Sequence, residues 1–101
     1  MDVHTESSNG KASIRLKGRF DFTAHRVFKQ AYEAVLGDKE ANEVELDMSA
    51  VEYLDSSALG MLLILRDRAK ETTKTVTLGS CSTPVKEVLR VANFDKLFAT
   101  A

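Results

Sequence analysis

The sequence predicts an α/β fold in one domain, with a mixed sheet whose strands pair mostly in parallel. Three observations carry this. Segments with apolar residues at every second position alternate with segments whose apolar residues recur at helical spacing, the order of βαβ units. An Asn9-Gly10 pair between two strand-like segments marks a tight hairpin, hence one antiparallel edge. A chain of 101 residues, 44% of them hydrophobic, suffices for one modest core, so residues 1–101 are read as a single domain.

Each element follows from local pattern. Ala12, Ile14 and Leu16 alternate with polar residues and predict a half-buried strand that pairs with residues 2–6 across the turn at 7–11. Gly18 is expected to end it. Thr23 can cap a helix whose apolar positions Val27, Ala31, Ala34 and Val35 keep helical spacing, running to about Leu36 with Gly37 as its stop. Alternation resumes at Glu43 and predicts a strand over 43–48 and a connecting loop over 49–55. From Ser57 to about Lys70, Ala58, Leu62, Leu65 and Ala69 form one stripe. Leu59, Leu63 and Met61 widen it beyond an ordinary amphipathic face, so this helix is either deeply buried or shared with a partner. Thr75 to Leu78 reads as a strand. Thr83 as N-cap and Pro84 at the first helical position then open a last helix, with Val85, Val88, Leu89 and Ala92 as its buried stripe. There is no internal repeat, low-complexity segment or linker.

Composition excludes several functions. Fourteen basic residues balance fifteen acidic ones, with no block of five like charges, so there is no electrostatic footprint for nucleic acid or for an anionic membrane. The longest apolar run, Ala58 to Leu65, falls far short of the roughly 20 residues needed to cross a bilayer. No signal-peptide pattern opens the chain, and Cys81, the only cysteine, has no intramolecular disulfide partner, so a cytoplasmic protein is expected. One cysteine and two histidines 21 positions apart match no metal-ligand spacing, and the phosphate-loop pattern is absent, so no metal and no cofactor are expected.

The chemistry gathers at Asp55-Ser56-Ser57, where a loop turns into the apolar helix. Asp55 or Ser56 can accept hydrogen bonds from the free N–H groups of the first turn. Capping alone explains one polar residue, and the second serine is surplus to it. A nucleophilic serine would need a general base, and neither a Gly-x-Ser-x-Gly elbow nor a glycine-rich oxyanion loop surrounds Ser56. A serine that accepts phosphate is the remaining reading. Phosphate would meet a favourable helix dipole and an opposing Asp55, so it would change the fold little and any docked partner a great deal.

The run Asp55-Ser56-Ser57-Ala58-Leu59-Gly60, after a Val-Glu-Leu-Asp strand, resembles the STAS domain of bacterial anti-sigma factor antagonists. Gly18-Arg19-Phe20-Asp21 resembles that family's Gly-Glu-Leu-Asp turn, and Ser82-Thr83-Pro84-Val85-Lys86-Glu87-Val88-Leu89 its final helix. The resemblance covers about residues 11 to 98. It implies a mixed sheet of about four to five strands with helices on one face, and no catalysis by the protein itself. It also implies that the unphosphorylated form binds an anti-sigma factor, often a serine kinase, and so frees a sigma factor, while a PP2C-type phosphatase reverses the modification. By position the phosphorylated residue is Ser56, with Ser57 as second candidate. Asp21, Asp55, Ser56, Ser57, Leu59 and Gly60 make the partner surface. Two departures stand out: Ala58 replaces a common glycine, and Arg19 replaces an acid beside the docking surface. A constitutive STAS scaffold, or a subunit of a sensory assembly without phosphorylation, is the competing reading.

Overall fold

A computed structural model describes residues 1–100. Strand β1 (Asp2–Ser8) and strand β2 (Lys11–Phe20) form the antiparallel hairpin. Ser8 pairs with Lys11, leaving Asn9 (φ 52°) and Gly10 (φ 80°) as a two-residue loop. Both residues are left-handed, the conformation that Asn-Gly supplies at least cost and whose twist matches the strands. Helix α1 (His25–Leu36), strand β3 (Glu43–Leu54), helix α2 (Ser56–Glu71), strand β4 (Thr75–Cys81) and helix α3 (Thr83–Val91) follow, and a two-residue strand β5 (Ala99–Thr100) closes the sheet. Strand order is β1-β2-β3-β4-β5, parallel from β2 onward.

The core lies between one face of this sheet and the helices. Ala12, Ile14, Leu16 and Phe20 of β2, Val44, Leu46, Met48, Val51 and Leu54 of β3, and Val76 and Leu78 of β4 are all buried there. The opposite face carries Lys11, Ser13, Arg15, Glu43, Glu45 and Asp47, with Lys11 paired to Glu45 and Arg15 to Asp47 at 3.4 Å. Among the described residues no helix is long and apolar enough to cross a membrane.

Several expectations need correction. Gly18 does not end β2: at φ +103° it sits within an irregular stretch of the β2–β3 pairing, and the strand continues to Phe20. The stretch 49–54 is not a loop, because Val51 and Leu54 find core positions opposite Gly18 and Phe20 and so carry β3 onward. Strand β4 likewise reaches Cys81 rather than stopping at Leu78. Thr23 does not cap α1; it lies inside a 3-10 turn (Phe22–Ala24) capped by Asp21.

The buried stripe of α1 is Phe28, Tyr32, Val35 and Leu36, while Val27 and Ala34 face outward, since the aromatic rings fill the space over Phe20. Ser82, not Thr83, holds the N-cap position of α3. Its hydroxyl donates to the Val51 carbonyl at 2.7 Å, tying the start of α3 to β3. The stripe of α2, Ala58, Leu62, Leu65 and Ala69, is buried as expected.

Candidate functional site

Strands β2 and β3 end side by side, Phe20 opposite Leu54, and the Asp55 N–H donates to the Phe20 carbonyl at 3.3 Å. The residue after each strand is an aspartate in extended conformation, and each caps the helical turn that follows. Asp21 Oδ1 accepts from the Thr23 N–H at 3.0 Å and from the Thr23 hydroxyl. Asp55 Oδ1 accepts from the Ala58 N–H at 2.9 Å. Capping is therefore the work of Asp55, which leaves the serines without that duty. Ser56 is the first residue of α2 and Ser57 the second; both are exposed, and among the described residues neither hydroxyl has a hydrogen-bond partner. Among the described residues neither histidine hydrogen-bonds to them: His4 pairs with Glu6 at 3.0 Å on β1, and His25 is exposed at the start of α1.

The other expected members take different places. Leu59 is half-buried and packs against the core, and Gly60 is half-buried on the next position of the helix. The apolar width of α2 is largely taken up inside the molecule: Met61 is buried and Leu63 also packs on the core. The large apolar side chain that α2 leaves exposed is Ile64, which the sequence pattern did not single out. The exposure of two aromatics was not anticipated. Phe22, which follows the Asp21 cap, is 69% exposed, and Tyr53, near the end of β3, is 42% exposed. The Arg19 guanidinium lies 4.2 Å from the centroid of the Tyr53 ring, and its Nε stands 3.7 Å from Asp21 Oδ2. The arginine that departs from the family pattern is thus stacked at the same corner.

The Thr23 hydroxyl, the Thr23 N–H and the Arg19 charge hold the Asp21 carboxyl below its usual range, against a smaller opposing push from partial burial. A carboxyl whose pKa is lowered on folding stabilises the native state above its unfolded value, and that stabilisation is lost as pH falls through the native value. Asp21→Ala should therefore lower the thermal midpoint at pH 7, and its difference from wild type should shrink below about pH 4. A pH-independent difference in thermal scans would mean that the carboxylate charge plays no part in holding this turn.

A mixed sheet, parallel from β2 onward, with an exposed hydroxyl pair at the start of α2 where β3 ends, is the architecture of a STAS-type α/β domain. The chain belongs to the STAS-domain family: residues 3–99 match the family described as "Mlab, STAS domain". It is 45% identical over 86 residues, 85% of this chain and 83% of the other, to a STAS-domain containing protein of Pseudomonas aeruginosa. An anti-sigma factor antagonist from Mycobacterium paratuberculosis matches at 26% identity and TM-score 0.79, over 98% of this chain and 83% of that one. The Bacillus cell fate determinant SpoIIAA in its phosphorylated form matches in fold, at 16% identity and TM-score 0.74, over 99% of this chain and 91% of that one.

Proposed function

We propose that this domain is an anti-sigma factor antagonist switched by phosphorylation of Ser56. The observation that carries the reading is the exposed Ser56 hydroxyl, without a hydrogen-bond partner among the described residues and relieved of capping by Asp55, at the corner where β2 and β3 end side by side. Unphosphorylated, the corner docks an anti-sigma factor, often itself a serine kinase, and a sigma factor is released. A PP2C-type phosphatase restores the hydroxyl. Asp21, Asp55, Ser57, Leu59 and Gly60 border the contact, and the protein acts in the cytoplasm without catalysis of its own. The names of two structural neighbours support this: one is an anti-sigma factor antagonist, and SpoIIAA exists in a phosphorylated form.

Mass spectrometry after incubation with a cognate anti-sigma kinase should place one phosphate on Ser56 and none in Ser56→Ala. Phosphate found mainly on Ser57 would move the site by one residue. Failure of any anti-sigma kinase to modify the chain, with anti-sigma binding intact, would favour the constitutive scaffold.

A further inference from the structure

Gly60 stands in the second turn of α2, where glycine is a poor helix former. A Cβ placed there meets no atom within 4 Å, and the residue keeps ordinary helical backbone, so neither packing nor conformation asks for glycine. What remains is the approach of something from outside. Gly60 shares one face of α2 with Ser56, four residues before it, and with the exposed Ile64 and Arg68, four and eight residues after.

Helices α1 and α2 each cross between parallel strands over the same face of the sheet, so they run in the same direction. Arg68 pairs with Glu33 of α1 at 3.7 Å, which sets their register. Counting back along both helices brings Lys29 to the level of Ile64, and Arg26 close to that of Gly60. Lys29 and Arg26 lie four and seven residues before Glu33, on its face, and both are exposed. Among the described residues neither has an ion-pair partner. Arg26 lies in the first turn of α1, which contains no acid, so its charge stands against the helix dipole. The acids near this strip are already matched: Glu33 by Arg68, and Asp67 by Arg66 at 4.0 Å.

We propose that a helix of the anti-sigma partner packs over Gly60 and Ile64, with Asp or Glu residues on its edge turned to Arg26 and Lys29. The proposal rests on the anti-sigma reading above. A bare Cα lets the partner's backbone come near, because the separation of packed helices is set by the side chains at their contact. The unmatched cations select an acidic edge. A phosphate on Ser56, one helical turn above Gly60 on the same face, would then meet like charge on the docked helix.

The test uses the full chain and the purified anti-sigma factor that binds its unphosphorylated form. Gly60→Ala should raise the thermal midpoint by a few degrees, since alanine favours helix and meets open space, yet weaken binding at least tenfold. The double variant Arg26→Glu/Lys29→Glu should keep the midpoint, weaken binding at least tenfold, and flatten the fall of affinity with salt. A lower midpoint for Gly60→Ala would show that the fold itself needs the glycine and overturn the proposal. Wild-type affinity in both variants would overturn it while leaving the anti-sigma reading intact. No binding of anti-sigma factors by the wild-type chain would instead remove that reading, and the proposal with it. Self-association of the wild type that Gly60→Ala abolishes would assign the strip to a second copy of the chain, and so also overturn it.

Discussion

Phe28→Ala should cost about 3–5 kcal/mol of stability, whereas Val27→Ala, one residue earlier, should change it by less than about 0.5 kcal/mol. Phe28 is fully buried; its ring centroid lies 5.0 Å from that of Phe20 and 5.4 Å from that of Tyr32 in an edge arrangement. Truncation removes the ring and leaves a cavity that the sheet below cannot collapse to fill, because Phe20 and Leu16 are themselves fixed in strand pairing. Domains of this size are stable by roughly 5–15 kcal/mol, so the loss is a large share and should lower the thermal midpoint by roughly 15 °C or more. Val27 is 36% exposed. Its loss of contact is small, and the better helix propensity of alanine offsets it. Urea unfolding of both variants decides the matter: equal losses would mean that α1 is rotated by one residue from the arrangement described here.

That one-residue rotation marks how far the sequence could be read. Val27, Ala31, Ala34 and Val35 satisfy helical periodicity about as well as Phe28, Tyr32, Val35 and Leu36, and the two stripes lie about 100° apart. Side-chain volume breaks the tie, since aromatics that can stack over a sheet outweigh two alanines. Gly18 misled for a related reason. Glycine at positive φ serves a strand end and an irregularity within a strand equally well, and only the partner strand decides between them. The irregular pairing beside Gly18 also breaks the period of two in β3, so Val51 and Leu54, three apart, both face inward and the segment does not look like a strand.

The candidate corner was more legible than its surroundings, because it is built from local signals. Asp55-Ser56 before an apolar helix announces a cap whatever the tertiary fold, and the second serine then stands out as unneeded; that Asp55 and not Ser56 is the cap only the structure decides. Asp21 was placed at the same corner by its resemblance alone; its capping of the 3-10 turn depends on backbone geometry that the pattern did not display. Tyr53 fell within the expected loop over 49–55, but the exposure of its ring and of Phe22 was not legible, because exposure of an aromatic is a property of its neighbours.

Phosphorylation of Ser56 should lower affinity for the anti-sigma partner by roughly a hundredfold or more while leaving the fold in place. Within the monomer two effects oppose one another. The start of α2 favours a phosphate by roughly 0.3–1 kcal/mol on an exposed surface, and the Asp55 carboxylate, held beside it by its bond to the Ala58 N–H, repels it by a similar amount. Ser56 is exposed and among the described residues its hydroxyl has no hydrogen-bond partner, so the added group breaks no contact seen there. Neither effect can rearrange a core in which β2 and β3 are locked by their shared register. At the interface no such cancellation operates. A docked partner must strip water from a group of nearly two negative charges or leave a gap around it. About 2.8 kcal/mol of either cost is two decades in affinity. Ser56→Asp, with one charge and fewer acceptor oxygens, should lose binding in the same direction but by less. Amide chemical shifts of the free protein, compared before and after modification, should move at residues 20–23 and 53–60 and stay fixed across β1 and β4. Shift changes spread over the whole sheet would replace local repulsion with a conformational switch, and unchanged affinity would mean that the phosphate does not lie in the contact.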